Sequence, residues 1–217
     1  MRLLLLSNST NFGEEYLGYP RKEIQRFLGD SIKEVLFIPY AGVTISYDEY
    51  TSRVKKVFEE LGYSLNGIHT CNDHIQAVAD AEAIAIGGGN TFELLNQLYR
   101  KQLVDPIKVK VHAGTPFMGW SAGSNMTCPT IMTTNDMPIS EPPSFTALDL
   151  IPFQINPHYT EGKIPNHGGE SRNMRIEEFL EINRDMIVVG LPEGMIILFP
   201  LVSNKVSCPR LLSSPSS

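Results

Sequence analysis

Residues 116–126 read PFMGWSAGSNM, and the centre of that stretch, Gly119-Trp120-Ser121-Ala122-Gly123, carries the G-x-S-x-G spacing. The apolar residues 116–118 predict a strand, the glycine-flanked serine a sharp turn, and the small residues after it the start of a helix. A strand that feeds a helix through so tight a turn is a building unit of a parallel α/β sheet. The same turn poses a chemical question. Ser121 is either a nucleophile perched at a strand tip or an ordinary cap of the helix that follows.

Working outward, further short apolar runs predict buried strands at Leu3–Leu6, residues 35–39, Ala83–Ile86 and residues 186–189. Continuous apolar runs suit a parallel sheet covered on both faces. Between them lie stretches with helical spacing: residues 47–61, where Tyr50, Val54, Val57, Phe58 and Leu61 share one stripe, then 91–98 and 170–182. Alternating strands and helices predict a doubly wound, mostly parallel α/β sheet, in which ligands sit beyond the carboxyl ends of the strands. Three of those ends are unusual: Gly87-Gly88-Gly89-Asn90, Gly119-Trp120-Ser121 and Gly190-Leu191-Pro192-Glu193-Gly194. Residues 129–169 are rich in Pro, Gly and Asn with little periodicity, which marks functional surface.

At 217 residues the chain fits one domain over residues 1–200, followed by a divergent tail at 201–217 expected to be disordered. Hydrophobic content of 42% provides for a real core. A net charge of −6 with no Lys/Arg run longer than two residues argues against nucleic acid and against an anionic membrane as partners. Three cysteines without a C-x-x-C pair read as reduced thiols, so a cytoplasmic location is expected. The leucines at 3–6 are stopped by Ser7-Asn8-Ser9, below the roughly 7–15 apolar residues of a signal core.

A serine hydroxyl is a poor nucleophile without a base to take its proton and an oxyanion site to receive charge. Five histidines compete for the first role. His69 and His74 lie in HTCNDH, whose spacing matches no zinc pattern and reads as a polar loop; no metal or other cofactor is expected. His112 reads as a solvated helix position. His158, at the end of the short strand 154–157, and His167, in Pro165-Asn166-His167-Gly168-Gly169, both remain. For the carboxylate that orients the imidazole, Glu193 at a strand end competes with Asp136, which could instead read a substrate amine. The order Ser, His, Glu departs from that of α/β-hydrolases, where the acid precedes the histidine. The glycine run 87–89 is no dinucleotide fingerprint, because Phe92 stands where the third glycine belongs; it reads as an amide nest or a plain turn.

Together, LLLLSNST (3–10), FIPYAGV (37–43), GGGNTF (87–92), GWSAG (119–123), TTNDMP (133–138), QINPH (154–158) and GLPEG (190–194) resemble the peptidase E, or alpha-aspartyl dipeptidase, family. The resemblance implies a flavodoxin-like, class I glutamine-amidotransferase-like fold and metal-free hydrolysis of dipeptides that begin with aspartate. It implies Ser121 as nucleophile, His158 as base and Glu193 as orienting acid, with the Gly89 and Ala122 amides as oxyanion donors. It also places Arg172 where the family reads the aspartyl side chain, a role suited to a guanidinium's paired donors. The partner expected is a small peptide, and the chain a monomer or homodimer. After Gly194 the sequence departs from the family pattern. Two rivals are a related serine hydrolase acting on another aspartyl bond, such as that of cyanophycin, and a non-catalytic binding protein.

Overall fold

A computed structural model describes residues 1–162 and 168–199 and the backbone of 210–212. The elements run β1 (Leu3–Leu6), α1 (Arg21–Leu28), β2 (Glu34–Ile38), α2 (Tyr47–Glu60), β3 (Ser64–Gly67), a 3-10 turn (Ile68–Thr70), α3 (His74–Asp80), β4 (Ala83–Ile86), α4 (Thr91–Arg100), α5 (Val104–His112), β5 (Phe117–Trp120), α6 (Ala122–Asn125), β6 (Gln154–Tyr159), α7 (Arg172–Ile182), β7 (Val188–Pro192), β8 (Ile196–Phe199) and β9 (Arg210–Leu212). Of the tail expected at 201–217, only β9 lies among the described residues.

The main sheet has the order β3-β2-β4-β5-β1-β8, parallel except for β8, which pairs antiparallel with β1. Leaving β1 aside, β2 to β5 follow the flavodoxin-like order 2-1-3-4, and β1 takes the fifth place. A smaller sheet, β6-β7-β9, joins β6 and β7 in parallel.

Side chains alternate across each main strand, so successive residues enter opposite cores. Leu3, Leu5, Leu36, Ile38, Ile84, Ile86 and Phe117 pack on one face, with residues of α3 to α6. Leu4, Leu6, Val35, Phe37, Ala83, Ala85, Met118 and Trp120 pack on the other, with α1 and α2. Burial on both faces is why these strands read as unbroken apolar runs. The helices begin where polar caps allow: Ser46 accepts from the Glu49 amide at α2, and Asn90 from the Glu93 amide at α4.

Three strand predictions need correction. β5 runs on through Gly119 and Trp120, and β7 through Gly190 to Pro192. In both strands glycine is there for close packing, not for a turn: a Cβ on Gly190 would lie 2.7 Å from the Tyr159 ring, and one on Gly119 would meet the Gly123 backbone. β6 continues past Pro157 to Tyr159 through an irregularity at His158. Among the described residues no helix is long and apolar enough to cross a membrane.

Candidate active site

Ser121 stands between β5 and α6 with φ 53° and ψ −113°. Non-glycine residues rarely hold a positive φ, and such strain gathers at functional sites. The two flanking glycines explain how the turn closes. A Cβ on Gly123 would run into the Ile86 carbonyl of β4, and one on Gly119 into the first turn of α6. The Ser121 side chain makes no capping bond to its helix, which removes the plainer reading of the motif. Its hydroxyl lies 2.9 Å from His158 Nε2 instead.

His158 has a positive φ of 54° and sits where the β6–β7 register shifts between Pro157 and Tyr159. A bulge of this kind bends a strand and re-aims a side chain. The structure thereby turns the imbalance of one residue into an imidazole facing the other sheet. His158 Nδ1 lies 3.0 Å from Glu193 Oε1. Glu193 is 57% exposed, so this pair adds little to stability and matters for orientation.

One segment at the tip of β1 fixes all three side chains. The Leu6 carbonyl accepts from the Ser121 amide at 3.1 Å. The Ser7 hydroxyl, fully buried, accepts from the His158 amide at 2.9 Å and donates to the Leu191 carbonyl at 2.8 Å. Asn8 Oδ1 accepts from the Gly194 amide at 2.8 Å, holding the turn that carries Glu193.

These groups open onto a cleft of about 720 Å³ at the carboxyl ends of the strands, lined also by Gly88, Gly89, Tyr16, Tyr50, Arg53 and Asp136. Gly89 has φ 140°, and a Cβ there would collide with the Ala41 carbonyl, so the glycine run is a close backbone approach. Among the described residues neither the Gly89 nor the Ala122 amide donates a hydrogen bond. Asp136 makes no hydrogen bond to His158: its Oδ2 accepts from the Thr91 amide at 2.8 Å and from the Thr91 hydroxyl. The irregular segment 129–169 contributes Asp136, Ile139 and His158 to the cleft wall.

Besides this strained serine turn, bulge-borne imidazole and carboxylate behind it, residues 3–201 match the family profile described as peptidase family S51. The chain belongs to that family. It is 57% identical over 196 residues to peptidase E of Nostoc sp., covering 90% of this chain and 81% of that one. It is 49% identical over 193 residues to peptidase E of Haemophilus influenzae, covering 88% of each. A solved structure from Listeria monocytogenes superposes with a TM-score of 0.68 at 22% identity, covering 100% of this chain and 98% of the other. A peptidase from an acI-B1 Actinobacterium superposes with 0.66 at 18% identity, covering 99% and 95%. These structures share the α/β fold.

In this S51 peptidase Arg172 opens α7, and its Nη1 donates to Asn135 Oδ1. Burial, with some help from Arg175, lowers its affinity for the proton. Arg172 is not among the residues lining the cleft. Asn135 is itself fixed, donating to the Pro157 carbonyl at 2.6 Å and accepting from Asn156 at 2.9 Å. His69 pairs with Asp48 at 2.9 Å, Asp73 caps α3, and His112 is exposed. His167 lies outside the described residues. Sequence reading passed over Ser7, Asn8, Asn135, Tyr50 and Arg53; SNS after the first strand was the available signal, since polar residues there must find partners.

Proposed function

We propose that this serine peptidase of family S51 is a cytoplasmic dipeptidase that hydrolyses peptides of the form Asp-X through Ser121, His158 and Glu193. The observation that carries the reading is the imidazole lying 2.9 Å from the Ser121 hydroxyl and 3.0 Å from a carboxylate. With Glu193 accepting the Nδ1 proton, Nε2 is left as acceptor for the hydroxyl proton. Ser121 Oγ attacks the peptide carbonyl as that proton passes to His158. The Gly89 and Ala122 amides receive the oxyanion, each contributing about 3 kcal/mol to barrier reduction. The imidazolium then protonates the leaving amine, and water, activated by the same imidazole, releases aspartate from the acyl-enzyme.

Substrate selection is assigned to two groups. Arg172, oriented by Asn135 next to the cleft residue Asp136, pairs with the aspartyl side chain. Asp136 uses Oδ2 on Thr91, and its Oδ1 has no partner among the described residues, so it suits the free α-amine. The chain acts as a monomer or homodimer on small peptides.

The test is hydrolysis of Asp-Leu against Leu-Leu by the purified chain, with Ser121→Ala as control. Asp-Leu turnover should fall at least about 10⁴-fold in the variant. Equal rates in variant and parent reject the nucleophile. Turnover of cyanophycin but not of Asp-Leu moves the reading to the rival aspartyl hydrolase.

A further inference from the structure

The cleft around Ser121 is lined by Asp136, held by Thr91, and by Trp120, Tyr50 and Gly88. The Trp120 indole donates to the Tyr50 hydroxyl at 3.1 Å, and Tyr50 donates to the Gly88 carbonyl at 3.0 Å. Gly88 abuts the nucleophile, since a Cβ there would lie 3.1 Å from Ser121 Cβ. Tyr50 therefore marks a wall of the cleft close to the reacting serine.

Arg53 follows Tyr50 by three residues on α2, the spacing that puts two side chains on one helix face, and it lines the same cleft. Burial raises the pKa of both the Tyr16 and the Tyr50 hydroxyls, and Arg53 is close enough to oppose part of that shift. The acidic residues of the cleft are engaged elsewhere, Asp136 with Thr91 and Glu193 with His158. Among the described residues Arg53 has no ion pair and no hydrogen bond. In a protein of net charge −6, a guanidinium without a carboxylate partner among the described residues lines the cleft that holds Ser121.

We propose that Arg53 is a second carboxylate-binding subsite, taking the free α-carboxylate of the residue that leaves. The proposal rests on the dipeptidase reading of the same site. In a dipeptide that carboxylate lies one residue, at most about 3.6 Å of chain, beyond the scissile bond, so its reader must stand beside the nucleophile. A guanidinium there favours a terminal carboxylate over the neutral amide of a longer peptide. It thus selects for length, where Arg172 selects for aspartate.

The experiment measures calorimetric binding of Asp-Leu and Asp-leucinamide to the Ser121→Ala chain, with and without Arg53→Gln. Asp-Leu should bind about tenfold more tightly than the amide, the advantage of a partly exposed charge pair. Arg53→Gln should abolish that difference while leaving amide binding unchanged, and Arg53→Lys should keep part of it. Equal binding of the two peptides to the Arg53-containing chain overturns the subsite. So does a preference that survives Arg53→Gln, or equal weakening of both peptides, which would put Arg53 on the aspartyl side chain. Binding needs no turnover, so failure of the unmodified chain to cleave Asp-Leu would reject the dipeptidase reading separately.

Discussion

In the proposed function, selectivity at the level of single residues rests on how a long cation is held. An arginine at the start of a helix faces amide dipoles of its own sign, an unfavourable place for a positive charge. Arg172 is kept there by Asn135, whose amide group is anchored on Pro157 and Asn156. The proline anchor lies one residue before His158, so Arg172 and the imidazole, the proposed specificity group and base, are set by the same few atoms. Arg172→Ala should lower kcat/KM for Asp-Leu about 100-fold and leave Leu-Leu turnover where it was, as fits the loss of a two-bond charged contact. Steady-state kinetics on both peptides check this; an unchanged ratio removes the role. G-x-S-x-G was readable in the sequence because its glycines answer to local sterics. The partners of Arg172 were not, because Asn135 looks like any loop asparagine until the fold brings 135, 156 and 172 together.

Elements meet at the tip of β1, where Leu6, Ser7 and Asn8 touch the serine turn, the histidine bulge and the glutamate turn. Asn8 is 3% exposed and binds the Gly194 amide directly behind Glu193. Asn8→Ala should loosen that turn and lower kcat about tenfold with little change in KM, because orientation of the base is lost and substrate contacts are not. A change confined to KM would refute it. Strands buried on both faces were legible as apolar runs, and α2 and α4 by their helical spacing. The bulge was not. Pro157 reads as a stop, and only pairing with β7 shows that the strand resumes at Tyr159. The extent of β7 was hidden likewise, since Gly190 looks like a turn residue until the Tyr159 ring is seen to occupy the space of its side chain.

For the molecule as a whole, burial sets how it meets alkali. The Cys128 thiol, wholly enclosed and accepting from the Ile155 amide at 3.2 Å, is pushed up by burial to about 12. Tyr19, Tyr40 and Tyr50 are raised by burial too. Each group holds its proton longer when folded than unfolded, so their contribution is fully present below the unfolded pKa values near 9 to 10 and is lost as pH climbs toward the folded ones. Urea midpoints should therefore fall between pH 8 and pH 11, and a midpoint that holds steady over that range would contradict the account. Cys128→Ala should lessen the fall.

The hydroxyl belongs to the main sheet and the imidazole to the small one, with Ser7 as the stitch between them. Neither sheet alone carries both groups. On the proposed mechanism, activity would therefore require both sheets to be docked, and parting at Ser7 alone would separate the hydroxyl from its imidazole.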